Sequence, residues 1–147
     1  MLNLQYDNLQ LSDLLPILKD IGLESFVDKD GDVIVKSELI KIITKSELKN
    51  SIKIYCFLKI DKVDQDDNTL RRFASKLTEI ANVAKFSLFL KEDSMDERRL
   101  YCEVNLPAVG NVDEAFLKEF IKRSLEDFDK AKQYSKFIDD IVIDSKD

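Results

Sequence analysis

The aspartates are the residues of this chain whose spacing first suggests chemistry. The stretch "VDKDGDVIVK", Val27 to Lys36, sets Asp28, Asp30 and Asp32 around Gly31. Oxygens grouped in this way can bind calcium. An EF-hand loop takes oxygen ligands at its first, third and fifth positions, a glycine at the sixth and a bidentate glutamate at the twelfth. Counted from Asp28, the sixth position is Val33 and the twelfth is Leu39; counted from Asp30, Ile34 falls on the fifth. The glycine comes too early, in an Asp30-Gly31 dipeptide that favours the positive φ of a hairpin turn. The β-branched run Val33-Ile34-Val35 that follows reads as a strand. A tight turn between two strands is therefore expected here, with no bound metal.

Adjacent carboxylates at Asp66-Asp67, Glu126-Asp127 and Asp139-Asp140 have the type needed for general acid–base work. Each lies in a polar loop or on a helix with a separate apolar stripe, so solvated surface is the expectation for all three. The chain has no histidine. That removes the commonest general base and metal ligand, and with them Ser-His-Asp and Cys-His catalysis. Three glycines in the whole chain leave little material for a phosphate-binding loop. The two cysteines, Cys56 in "IKIYCFLKI" and Cys102 in "LYCEVNL", alternate with aliphatic neighbours and read as buried, reduced thiols. No catalytic residue, cofactor or metal ligand is expected.

Composition narrows the classes further. With 147 residues, 44% hydrophobic and 35% charged, the chain is expected to form one domain over 1–147 with an ordinary apolar core. The net charge is −6, from 23 basic and 29 acidic residues, which weighs against binding the phosphate backbone of nucleic acid. No apolar run approaches the roughly 20 residues of a membrane span. The N-terminus has no basic start before an apolar core, so cytoplasmic residence is the expectation.

The elements that would position any site are read from periodicity. Ser12 is placed as the N-cap of a helix through Leu14, Leu15, Leu18 and Ile21 that Gly22 stops. A strand over residues 23 to 27 precedes the acidic turn, and another begins at Val33. In the segment from Ser37 to Asp61, two alternating runs flank a polar connection around residues 47 to 51. Ile52, Ile54, Cys56, Leu58 and Ile60 face one way; Lys53, Tyr55, Phe57 and Lys59 face the other. Asp67 or Asn68 then caps a helix with the stripe Leu70, Phe73, Ala74, Leu77, Ile80 and Ala81. Phe86, Leu88 and Leu90 mark a strand, and Leu100, Cys102, Val104 and Leu106 its return. Asn111 and Glu114 resemble a capping box before a long helix striped by Phe116, Leu117, Phe120, Ile121, Leu125 and Phe128. The tail carries Tyr134, Phe137, Ile138 and Ile141. The class is α+β: a mostly antiparallel five-stranded sheet with helices on one face, in the order α-β-β-β-α-β-β-α. Pairing over residues 36–51 stays open.

This succession resembles the YbjN-type family of candidate bacterial sensory transduction regulators, whose fold is shared with the class I type III secretion chaperones. The stretches that carry the resemblance are "LLPILKDIGLESFVDKDGDVIV", "RRFASKLTEIANVAKFSLFLKED" and "LYCEVNLPAVGNVDEAFLKEFIKRSLEDFD". They span about residues 9–131 and contain no catalytic signature. Residues 132–147 then read as an amphipathic C-terminal extension. The resemblance implies no enzyme activity and no cofactor; it implies a small acidic protein that acts through protein contacts, often as a homodimer.

The candidate contact residues are the aromatics opposite the aliphatic sheet face: Tyr55, Phe57, Phe89 and Tyr101. Either a helix or the tail covers them as a second small core, or they form an exposed patch for a partner. Tyr134, Phe137 and Ile141 pose the same choice, and docking on the same chain or dimer is favoured for them. The expected function is non-enzymatic protein binding, chaperone-like or regulatory, through a homodimer and the aromatic sheet face. The alternatives are a dedicated secretion-effector chaperone and, from another class, an acidic inhibitor or immunity-type protein.

Overall fold

The computed structural model describes residues 3–5, 10–46, 51–60, 66–90, 98–107 and 111–143. Its centre is a six-stranded antiparallel sheet in the order β2-β3-β4-β5-β7-β6. The strands are β2 (Glu24–Val27), β3 (Val33–Lys36), β4 (Lys41–Ser46), β5 (Ser51–Lys59), β6 (Lys85–Leu90) and β7 (Arg98–Pro107). The helices α1 (Leu14–Asp20), α2 (Asp67–Ile80) and α3 (Glu114–Tyr134) bury their apolar stripes against one sheet face. The short α4 (Ile138–Ile143) packs on α2. A separate ribbon joins β1 (Asn3–Gln5) to β8 (Asn111–Asp113). Among the described residues no helix is long and apolar enough to cross a membrane.

The sheet has one strand more than the five expected. Val33–Lys36 and Lys41–Ser46 are two strands rather than one, since the chain reverses at residues 37–40 and each strand pairs in register with the next. Four strands of this sheet thus precede α2. The acidic stretch is the expected hairpin turn. Gly31 sits at φ +87°, and Asp28 Oδ1 accepts the backbone N–H groups of Asp30 (2.9 Å) and Asp32 (3.0 Å). That oxygen is committed to the chain's own backbone.

Helix ends differ by a few residues from the expected caps, because several polar residues near each end can supply the oxygen. Before α1 the chain makes a 3-10 turn over Leu11–Asp13, and Gln10, not Ser12, is its cap. The Gln10 N–H donates to Asp13 Oδ2 at 3.0 Å. Gly22, at φ +84°, closes α1 as expected: its N–H reaches the Lys19 carbonyl and that of Leu23 the Leu18 carbonyl, a Schellman pair. Asp66 caps α2 by accepting the Thr69 N–H at 2.7 Å, in place of Asp67 or Asn68. Asp113 caps α3 by accepting the Ala115 N–H at 2.8 Å. The expected Asn111 cap is instead in strand β8.

The core is continuous from α1 to α4. Val33, Val35, Ile43, Ile54, Leu58, Leu100 and Val104 from the sheet meet Leu18, Leu70, Phe73, Leu77, Leu117, Ile121 and Phe128 from the helices. Cys56 and Cys102 lie directly opposite each other on β5 and β7, reduced and buried. The Cys102 thiol is pushed far above its ordinary pKa by its hydrogen bond with Cys56 and by burial. Both cysteines therefore pack as the small hydrophobes expected.

Among the described residues two charged side chains are buried in this frame. Asp127, expected at the solvated surface with Glu126, is 3% exposed. Its oxygens accept the backbone N–H groups of Asn82 (3.1 Å), Val83 (2.8 Å) and Ala84 (3.1 Å), and the Asn82 side chain adds a fourth bond at 3.3 Å. The link from α2 to β6 is too short to satisfy these amides itself, so α3 reaches across to do so. Lys41, on the core face of β4, pairs with Asp129 of α3 at 2.8 Å and donates to Ser37 Oγ at 3.1 Å.

Candidate protein-contact surface

The outer sheet face is built by strand register. Tyr55 and Phe57 are alternate residues of β5; Phe57 stands opposite Tyr101 on β7, and Tyr101 opposite Ser87 on β6. Phe89 lies one pleat further along β6, opposite Arg99. Alternation places all four rings on the face away from the helices. Phe57 meets Tyr101 at 5.3 Å between ring centroids, Phe89 at 5.2 Å and Tyr55 at 6.2 Å, and Tyr55 meets Tyr101 at 6.1 Å. The arrangements are edge-on or tilted, the favoured geometries for aromatic pairs.

These rings are not sealed under a second layer. Phe57 is 37% and Phe89 43% exposed, while Tyr55 and Tyr101 are half-buried by their neighbours. Among the described residues no helix or tail segment covers them.

The open surface is also wider than the four rings. The register carries the Tyr55 row across β4, β3 and β2 through Ile42, Ile34 and Phe26, and Phe26 is 41% exposed. Sequence reading missed these three because it left the pairing of residues 36–51 open. The signal was present in the alternation of Val33-Ile34-Val35, which puts Ile34 opposite in sense to two core valines.

Polar groups border the rings. The Lys53 ammonium lies 5.2 Å from the Tyr101 ring centroid and 5.6 Å from that of Tyr55, and pairs with Glu103 at 3.5 Å. Its contacts with Tyr101 and Glu103 hold it above its ordinary pKa, partly opposed by desolvation. Partial burial pushes both phenols up, that of Tyr55 aided by the charge of Asp32 and that of Tyr101 by Glu103. Phenols shifted upward are weaker acids near neutrality, and a raised ammonium is a poorer source of free amine. The patch is suited to apolar and cation–π contact rather than to proton transfer.

One edge of the sheet is guarded. The Thr78 hydroxyl of α2 accepts the Phe86 N–H at 2.9 Å and lies 3.3 Å from the Phe86 carbonyl. The main-chain groups of Phe86 therefore point away from β7, and a side chain occupies the site where another strand would add.

Tyr134, Phe137 and Ile141 do not join the ring cluster. They lie at the end of α3, in the 3-10 turn Ser135–Phe137 and in α4, on the helical layer. The tail does dock on its own chain, but with a different set of side chains: Ala131, Ile138 and Val142 are buried, and Ile141 packs at the core's margin. The 3-10 turn rotates the stripe, leaving Phe137 56% exposed and Tyr134 at the surface. Phe116, placed in the buried stripe of α3 by its spacing, is also exposed and stacks on Phe120 at 6.0 Å.

Together these features define an α+β protein with an antiparallel sheet covered by helices on one side and open, aromatic-rich, on the other. Its fold is the YbjN-type fold. The chain superimposes on the crystal structure of YbjN from E. coli, described there as a candidate transcription regulator, with a TM-score of 0.69 at 15% sequence identity. The match covers 86% of this chain and 92% of that one. At such identity the likeness is one of fold. No family model matches the chain, and no curated protein matches it in sequence.

Proposed function

We propose that this chain is a non-enzymatic, cytoplasmic protein-binding module, chaperone-like or regulatory, whose contact surface is the open sheet face around Tyr55, Phe57, Phe89 and Tyr101. The observation that carries the reading is the exposure of large rings on β5 and β6, on the sheet face opposite the one that carries the core. Aromatic side chains bury much area on contact with few rotatable bonds to immobilise, and a contiguous apolar patch on a small protein is a contact site by default. Cation–π contacts hold Lys53 beside the rings, which keeps the free surface wettable.

The reading includes a homodimer, for which a second apolar surface is available. Phe137, Tyr134 and Ile80 stand exposed on the helical layer, remote from the sheet face. Self-association there leaves the rings free for a partner. A dedicated secretion-effector chaperone is a narrower form of the same proposal. An acidic inhibitor acting through this face is disfavoured, because among the described residues Lys53, Lys59, Lys85 and Arg99 lie on the same strands as the rings, with Glu103 among them.

The test replaces Phe57 and Phe89 together by serine. The expected result is a cooperative fold with nearly unchanged thermal unfolding and loss of the polypeptides that the wild-type chain retains from cell extract. A single retained polypeptide that becomes protease-sensitive on release points to the chaperone form. A doubly substituted chain that unfolds, or that retains the same polypeptides, refutes the assignment of the face. Light scattering across a tenfold range of concentration, with Phe137→Ser as the comparison, tests the dimer.

A further inference from the structure

The chemistry bordering the rings narrows the kind of partner, given the proposed role of the face. Lys59 and Lys85 are both exposed. Lys59 and Arg99 are paired across β5 and β7, in the row that contains Phe89, and Lys85 is paired with Glu103 across β6 and β7. Among the described residues neither Lys59 nor Lys85 has a carboxylate within ion-pair distance, and the charge of Glu103 is taken up by Lys53 at 3.5 Å. This surplus of cations belongs to a chain whose net charge is −6. Among the described residues the face is therefore polarised across the sheet, with the acidic turn Asp28–Asp32 on the β2–β3 side and Lys59, Lys85, Phe57 and Phe89 on the β5–β7–β6 side.

We infer that the partner seated on the β5–β7–β6 side is an acidic polypeptide segment that places an aromatic or aliphatic anchor on Phe57, Phe89 and Tyr101 and carboxylates beside Lys59 and Lys85. Cations around an apolar centre match the anatomy of an interface whose core supplies affinity and whose charged rim selects the partner and speeds association. The segment lies on the face rather than adding to the sheet at Phe86, because Thr78 already satisfies that edge. The rings meet each other edge-on or tilted, so they offer no flat parallel platform for the successive bases of a single-stranded nucleic acid.

The probes are two short fluorescent peptides with Phe and Leu at the same alternate positions, one carrying glutamates between them and the other lysines, and a short labelled oligothymidylate. Binding to the full chain is followed by anisotropy at low and at high sodium chloride. The acidic peptide is expected to bind about tenfold more tightly than the basic one, with the difference shrinking in salt. Lys59→Glu with Lys85→Glu is expected to reverse that preference without altering the unfolding transition. Equal binding of the two peptides, or a preference that survives the charge reversal, overturns the acidic partner while leaving the ring surface in place. Failure of both peptides to bind overturns this inference, and unaltered polypeptide retention by the serine double variant separately overturns the proposed contact face. Tighter binding of the oligonucleotide than of the acidic peptide overturns the inference in favour of nucleic acid.

Discussion

Replacing Asp127 by alanine tests how this fold is held together. The carboxylate accepts three successive backbone amides, Asn82, Val83 and Ala84, at 2.8–3.1 Å. Deleting it removes charge-assisted bonds, each of which contributes about 1.5–3 kcal/mol in isolation, and strands the donors. The three do not count equally. Asn82 and Val83 are exposed and can turn to water, whereas Ala84 is buried at 3% exposure and cannot. Full loss at Ala84, partial loss at the other two and the small cavity left behind together give a cost of about 3–4 kcal/mol. For a domain of this size each kcal/mol lowers Tm by roughly 3–4 °C, so the expected fall is about 10–15 °C. Asp127→Asn keeps one acceptor oxygen but turns an amine toward donors, and should lie between. The control is Glu126→Ala one residue away, exposed, with an expected change within about 0.5 kcal/mol. Urea unfolding followed by circular dichroism reads all three. A loss below about 1 kcal/mol for Asp127→Ala at unchanged m-value would show that α3 does not hold the link between α2 and β6 as argued.

Three other outcomes follow from the same geometry. Asp129→Ala, which leaves the buried Lys41 ammonium with only Ser37, should cost about 2 kcal/mol or more, while Lys41→Met at the same site should cost under about 1 kcal/mol, both read by urea unfolding. Thr78→Val uncovers the Phe86 N–H at the sheet edge and should cost about 1–2 kcal/mol; sedimentation velocity should also show association that grows with concentration, and a strictly unchanged distribution would argue against edge protection. Folding raises the pKa values of Cys102, Tyr55, Tyr101 and Lys53. A raised group is held in its protonated form, so its contribution is complete below the unfolded-state pKa and is lost as pH climbs through the folded one. Stability should therefore be flat through neutrality and decline above about pH 9, first with the thiol and then with the phenols and amine. Tyr101→Phe should make the part of the decline above about pH 10 shallower in a series of thermal melts, and an unchanged slope there would contradict the assignment.

Much of the architecture was legible because it rests on local periodicity. The alternation of Ile52 to Ile60 against Lys53 to Lys59 could only be a strand with two unlike faces, and the stripe from Leu70 to Leu77 could only be a helix packed on one side. The turn at Asp28–Asp32 follows from glycine's freedom at positive φ together with an aspartate that bonds its own backbone. The four rings of the contact surface emerged from the same alternation, since residues of one parity on β5, β6 and β7 must share a face.

Other features depended on partners distant in sequence. Pairing of β3 and β4 is a relation between strands, and only that register extends the ring patch through Ile42 and Ile34 to Phe26. Asp127 reads as surface beside Glu126 until α3 is set against the α2–β6 link, although its place in line with Ser124 and Ala131 hinted at the buried side. Phe116 and Phe137 have helical spacing, yet stand in water because a helix face is buried only where a neighbour lies over it. Sequence by itself determined which residues form strands and helices and which rings share a face, because main-chain periodicity acts over a few residues. Tertiary structure alone decided that this face stays open and that Asp127 is buried, because burial belongs to the space between elements and not to any one of them.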